Sequence, residues 1–350
     1  MSFLHAEHAE HAEHAEHAEH AETARGQRGG VLASALIRAR EALVGTDEIA
    51  VDPSMVRAEE DEAGGEAARL ARLAAGHRAA VLAFAAMEGL RVAPAAGGVA
   101  LHRDGAPLAT LVRPSPEVLA EGLALVAGYA DLRTDRAAEI DAQVTALLPF
   151  LGAVAGLSAA RTPRTLDLLS LVIDWSGAVG QRMKLALGVP RPHTLSPLVQ
   201  PMIRTPDHGA YPSNHAVQSF AAAETLAALA GDPTGDGALA EQLRRMAARI
   251  AMNRTVAGVH YPVDSAAGAV LGTTLARHLR ARATGGPAPA PATFDGTGWT
   301  AADLHGTGVA AARDFHLDAI RDRLADAPGD PVARDPLLGA AWDAAAAEWP

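Results

Sequence analysis

From residue 163 to residue 283 the sequence is built of long runs of Ala, Leu, Val and Gly. Set into those runs are a few charged and polar residues that an apolar helix does not ordinarily carry. Hydrophobic residues make up 49% of the 350 residues but aromatics only 4%, so alanine supplies much of the apolar surface. That favours closely packed helices over sheets. Thr162-Pro163 reads as an N-cap followed by proline at the first helical position. The helix LDLLSLVIDWSGAVGQRMKLAL follows and stops before Pro190. A second is expected from Ser213 through FAAAETLAAL, a third over ALAEQLRRMAARIAMNRTV, and a fourth from Tyr261-Pro262 through VDSAAGAVLGTTLARHLRAR. The expected fold class is all-α: a helical bundle with its site between helices, plus one small β-hairpin.

The rest of the chain is less regular. VALHRDGAPLATLV, residues 99–112, places two apolar-rich runs around Asp104-Gly105, a hairpin signal. Helices are expected over 31–44, from about Glu66 to Glu88, and near 115–130 and 135–157. Residues 1–30 form a low-complexity tail holding six copies of His-Ala-Glu at 5–22. It reads as a solvated segment, with weak chelation of divalent metal as the other reading. The expected organisation is that tail, a helical domain over 31–283, a Pro/Ala linker at 284–294 and a helical extension over 295–350. The Ala-rich end of the extension suits either docking on the core or contact with another subunit, which leaves a homo-oligomer open.

The formal net charge of −11 argues against a nucleic-acid partner, whose footprint is a basic face. The absence of cysteine excludes disulfides and thiolate metal sites. The best candidate membrane span, VTALLPFLGAVAGLSAA at 144–160, contains Pro149 and falls short of the roughly 20 apolar residues required. No basic-then-apolar leader pattern opens the chain, so a cytoplasmic location is expected. The loop from Asp232 to Gly237 fails as a calcium loop because Leu243 stands where the closing glutamate belongs.

The chemistry is carried by the residues that interrupt the apolar helices. Lys184 closes one helix, Arg191-Pro192 follows, then Pro212-Ser213-Asn214-His215, then Asn253-Arg254, His260 and Asp264. Burying a charge costs several kcal/mol per ion unless it is paired, and Asp264 alone cannot neutralise three cations. A tetrahedral oxyanion such as phosphate or vanadate does so, since arginine forks match it in a bidentate way. A helix starting at Ser213 adds backbone donors and a favourable dipole.

Lys184-x6-Arg191-Pro192, Pro212-Ser213-x-His215 and Arg254-x5-His260-x3-Asp264 together resemble the three-part signature of the type 2 phosphatidic acid phosphatase (PAP2) / vanadium-dependent haloperoxidase superfamily. Lack of a membrane span and an additional N-terminal half are similar to its soluble bacterial haloperoxidase-like branch. The resemblance implies that Lys184, Arg191 and Arg254 hold the anion's oxygens, with Ser213 and the backbone N–H of Asn214 adding donors. It implies His260 as the nucleophile, or the axial ligand if vanadate is bound, His215 as general acid and base, and Asp264 as the group orienting His260. Ser213 is then part of the cradle rather than a nucleophile, in keeping with the absence of a G-x-S-x-G elbow. His208 stands where algal bromoperoxidases of the superfamily carry a histidine near the cofactor; it reads as a loop histidine without a role, with support of the site as the other reading.

Two positions depart from the pattern: Asn214 replaces a glycine, and Asn253 replaces the serine that usually precedes the second arginine. The asparagine at 214 is expected to crowd the mouth or add a donor. The expected function is a phosphatase acting on a small phosphorylated substrate, with no required cofactor. The alternative is a vanadate-dependent haloperoxidase using halide and hydrogen peroxide. A third reading, motivated by Asn214, is a non-catalytic anion-binding protein.

Overall fold

The computed structural model describes residues 65–232, 236–299, 314–320 and 328–350, with Ser34, Ala35 and Arg38. The chain divides into two compact units, Met1–Arg69 and Leu70–Pro350. The His-Ala-Glu repeat and most of the helix expected over 31–44 lie outside the described residues.

From residue 65 the chain forms α1 (Gly65–Arg72) and α2 (Ala75–Met87). One helix from 66 to 88 was expected, but the chain breaks at Leu73-Ala74. Arg78 holds the freed carbonyl of Leu73 at 2.8 Å and pairs with Asp167 at 2.6 Å, so a tertiary anchor favours the break. Next come β1 (Leu90–Ala95), β2 (Gly98–Arg103) and β3 (Ala106–Val112), joined antiparallel. The Asp104-Gly105 turn joins β2 to β3 as the sequence indicates, with both residues at positive φ.

Helices α3 (Pro116–Gly128), α4 (Arg133–Thr145) and α5 (Leu148–Ala155) follow. The second expected helix of this region is thus divided. Pro149 sits in the first turn of α5, where its ring and missing N–H end the preceding helix.

The core bundle is α6 (Pro163–Leu187), the short α7 (Pro192–Leu195), α8 (Asn214–Leu229), α9 (Ala238–Val256) and α10 (Pro262–Thr284). α8 packs against α6, α9 and α10. Its approach to α10 depends on missing side chains. A Cβ at Gly268 would lie 2.6 Å from the Ser213 carbonyl oxygen, and one at Gly272 would collide with the Val217 carbonyl. Small residues therefore set the start of α8 against the start of α10.

The stretch read as a Pro/Ala linker carries two short strands, β4 (Pro287–Pro289) and β5 (Ala292–Asp295). β5 joins β3 in parallel, extending the three antiparallel strands to a four-stranded sheet ordered β1-β2-β3-β5, where a single hairpin was expected. Phe294 drives this: it is fully buried between Tyr211 and Trp299, with ring centres 6.5 and 5.4 Å away. The chain ends with α11 (Leu317–Ile320), β6 (Pro328–Pro331), which pairs with β4, and α12 (Pro336–Ala346).

α12 docks on α10 and α6, and beyond it Glu348 reaches the N-terminus of α6. Its carboxylate accepts from the N–H groups of Arg164 (2.7 Å) and Thr165 (2.8 Å) and from the Thr165 hydroxyl (2.8 Å). Thr162 accordingly is not the side-chain cap its sequence position suggests; its hydroxyl turns back to Ser158. Among the described residues no single helix is long and apolar enough to cross a membrane. The bent pair Pro116–Thr145 and Leu148–Ala155 passes on length and composition only.

Candidate active site

One end of each core helix delivers part of one site. Lys184 lies in the last turn of α6, which Gly188 closes at φ 59°. Arg191 precedes α7 and Ser213 precedes α8, both in extended backbone. Arg254 is in the last turn of α9, and Asp264 in the first turn of α10. The Ser213 N–H donates to the Asp264 carbonyl at 2.9 Å, locking the starts of α8 and α10 together. Tyr211, just upstream, donates to the Val112 carbonyl at 2.9 Å and ties the α8 start to the end of β3.

The cations are buried: Lys184 and Arg254 are each 1% exposed, Arg191 4%. Backbone carbonyls aim them. Lys184 Nζ donates to Gly209 (3.2 Å) and Ala210 (3.1 Å). Arg191 Nε donates to the His208 carbonyl (3.1 Å) and Nη1 to the Val259 carbonyl (2.8 Å). Arg254 Nη2 donates to the Ile140 carbonyl (3.0 Å) and Gln143 Oε1 (3.2 Å), while its Nε and Nη1 are buried without a hydrogen-bond partner. Burial holds Arg254 down to about 9. The buried Ser213 hydroxyl is also unpartnered, since it does not cap α8. Buried donors left unmade are costly, and a tetrahedral oxyanion is what these donors fit.

His260 has its two ring nitrogens assigned by its neighbours. Nδ1 lies 2.9 Å from Asp264 Oδ2, and Nε2 lies 3.0 Å from Arg191 Nη1. A guanidinium only donates, so Nε2 must be the acceptor and Nδ1 carries the proton. Burial, with Arg191 and Lys184 nearby, keeps His260 well below its ordinary value and therefore neutral. Asp264 is fixed by the Tyr261 N–H at 3.0 Å, and burial pushes it up to about 7. The result is an oriented imidazole with an unprotonated nitrogen beside a cation.

His215 Nε2 is 3.0 Å from the Gln143 carbonyl, to which it donates. Burial, then Arg254, hold it well below the usual histidine range. His208 joins the same group: its Nδ1 is 3.1 Å from Arg191 Nη2, and burial with Lys184 and Arg191 lowers it to about 4.

The motif residues thus converge. Asn214 differs from expectation. Its side chain does not enter the cradle but turns onto α6, with Nδ2 3.3 Å from both the Gly177 carbonyl and Gln181 Oε1. Gly180 provides the room, since a Cβ there would collide with Asn214 Oδ1. Asn253 also faces outward from the cradle, bonding Glu139 and Gln143 at 2.9 Å each. Gln143 and Glu139 of α4 were not read from the sequence. The signal was present as two polar residues one turn apart on a helix, but that pattern is common on solvated faces.

Residues 166–283 match the family model described as the PAP2 superfamily. No curated protein matches the chain.

Proposed function

With residues 166–283 a domain of the PAP2 superfamily, we propose that the protein is a phosphatase that hydrolyses phosphate esters through a phospho-histidine intermediate. The reading is carried by the His260 arrangement, an unprotonated Nε2 beside Arg191 with Nδ1–H held by Asp264. A phosphate ester in the cradle takes hydrogen bonds from Arg254, Ser213, Lys184, Arg191 and the N–H groups at the start of α8. His260 Nε2 attacks phosphorus, forming a P–N bond as the ester P–O bond breaks. His215 gives a proton to the leaving oxygen. Water then attacks phosphorus, the P–N bond breaks, and His215 takes the water's proton. Positioned cations stabilise the charge on the equatorial oxygens throughout.

His215 is held neutral in the free site by burial and by Arg254, Lys184 and Arg191. A bound phosphate reverses that field and favours its protonated form. The substrate therefore helps to charge the acid that cleaves it.

His208 beside Arg191 favours a second reading, a vanadate-dependent haloperoxidase. Lys184, Arg191, Ser213 and Arg254 would hold vanadate, with His260 supplying a ring nitrogen to it. Bound vanadate would supply a Lewis-acidic centre for peroxide.

The test is hydrolysis of p-nitrophenyl phosphate and a panel of phosphate monoesters, with His260→Ala as the blank. Turnover present in the wild type and absent in the variant supports the phosphatase. Bromide oxidation by peroxide after orthovanadate loading, lost in His260→Ala, with no ester hydrolysis, would replace it with the second reading.

A further inference from the structure

α4 contributes no residue to the three motifs and lies outside the matched segment. Yet its Gln143, fully buried, touches both the acid-base histidine and the anion-holding arginine. Its backbone carbonyl receives His215 Nε2 at 3.0 Å. Its side-chain Oε1 receives Arg254 Nη2 at 3.2 Å and Asn253 Nδ2 at 2.9 Å. Its Nε2 donates to Glu139 Oε1 at 3.0 Å. The carboxylate of Glu139 is in turn clamped by Arg249, with contacts of 2.7 to 3.0 Å, and by Asn253. Asn253 Oδ1 accepts from Arg136 at 3.0 Å.

Every amide in this network has one consistent orientation. Oε1 of Gln143 faces two donors and Nε2 faces a carboxylate, so the amide cannot flip without breaking all three bonds. We propose that Gln143 is the positioning residue of this site: a neutral bridge that sets Arg254 and His215 relative to each other while leaving the arginine's charge for the phosphate. The inference rests on the phosphatase reading above.

Neutrality is the functional point. A carboxylate at 143 would also orient Arg254, but it would pair with the guanidinium and compete with the phosphate. Glu139 sits one residue further along the network, so its charge fixes the bridge without contacting Arg254 directly. The backbone bond to His215 commits Nε2 as a donor and leaves Nδ1 for proton transfer.

Two substitutions separate positioning from folding. Gln143→Met keeps the volume and removes both polar ends. It should raise KM for p-nitrophenyl phosphate and Ki for inorganic phosphate together, about tenfold, while kcat falls less than about threefold. Gln143→Glu should raise both constants at least as much. It should also move the alkaline limb of the kcat profile up by about one pH unit. The added carboxylate, set against Glu139 where the amide N–H had been, favours protonated His215 against Arg254, Lys184 and Arg191, which face it, and beside the neutral His260. The phosphate-induced rise in melting temperature should shrink in both variants, a readout that needs no turnover. If Met fails to fold, the Glu variant carries the test. Wild-type turnover that His260→Ala abolishes, with unchanged KM, Ki and pH limb in the Gln143 variants, overturns the positioning role alone. A wild type that neither binds phosphate nor hydrolyses any ester overturns the phosphatase reading and this inference together.

Discussion

Arg254 and Arg282 are both buried arginines near helix C-termini, and their surroundings are opposite. Arg282 donates to Asp335 at 2.6 Å and to the Ala85 carbonyl at 2.7 Å, with Glu88 3.5 Å away. Asp335 also caps α12, accepting from Leu337 and Leu338. This arginine is therefore a joint between α10, the end of α2 and the start of α12. Arg254 has no carboxylate among its hydrogen-bond partners, and two of its donors are unmade. A cation whose charge is met inside the fold serves the fold. One held by neutral oxygens, with donors left over, is set for a ligand.

The contrast predicts a crossed pair of phenotypes, the largest effects expected here. Arg282→Ala should cost roughly 2–4 kcal/mol of stability, because Asp335, 12% exposed, loses its counter-charge and the buried arginine's contacts between helices go with it. Activity per folded molecule should change little. Arg254→Ala should lower kcat/KM by about 100- to 1,000-fold, the scale of losing an oxyanion-stabilising donor. Its chemical denaturation midpoint should stay near or above that of the wild type, since an unsatisfied buried charge is removed. Parallel losses of stability and activity in both variants would erase the distinction.

The two ends of α6 give a smaller version of the same comparison. The C-terminal end presents Lys184 to the site, while the N-terminal end is sealed by Glu348, which accepts two backbone N–H groups. Glu348→Ala should cost about 1–2 kcal/mol, as loss of a helix cap does, with KM unchanged. A rise in KM would mean that the cap also holds Lys184 in place.

Protonation sharpens the contrast between the clusters. His260, His215 and His208 are held low beside the cradle, and His278 is lowered to about 4 by burial beside Arg103 and Arg282. Each is neutral in the native fold, whereas the unfolded chain protonates near 6.5. As pH falls below 6.5 the unfolded state takes up histidine protons that the native state refuses, so stability falls, and Asp264, raised to about 7 by burial, offsets part of that loss because the native state takes up its proton before the unfolded chain does. The loss is about 1.4 kcal/mol per such histidine one unit below 6.5. Phosphate should reduce the loss from the three cradle histidines and leave that from His278 unchanged. Melting temperatures between pH 7 and pH 5, with and without phosphate, check this. An equal acid sensitivity in both conditions would count against an anion in the cradle.

What was legible in the sequence follows from what each residue interacts with. The bundle helices were legible because long Ala-rich runs and their Pro and Gly boundaries act locally. The cradle was legible because its residue types are improbable in such runs and their spacing is fixed by helix ends. β5 was not, because its four residues Ala-Thr-Phe-Asp are too short for a period-2 pattern and follow a Pro/Ala run, and only the burial of Phe294 against Tyr211 and Trp299 draws it to β3. Glu348 and Gln143 were not, because each meets its partners across long stretches of chain, 183 residues for Glu348 and Thr165 and 111 for Gln143 and Arg254. Asn214 was legible as a departure but not in its consequence, which depends on the space above Gly180.

That consequence yields the smallest predicted effect. Asn214 stands in the first turn of α8, so its backbone N–H is free of helical bonding and available to an anion whatever the side chain. The side chain makes two 3.3 Å bonds to α6 and none to a cradle residue. Asn214→Gly should therefore leave the donor in place and change turnover less than about threefold. It should cost about 1 kcal/mol of stability from the lost bonds and the added backbone freedom. A large gain in turnover would show instead that the asparagine restrains the site, as the non-catalytic reading requires. A large loss would place its amide among the groups that orient the substrate.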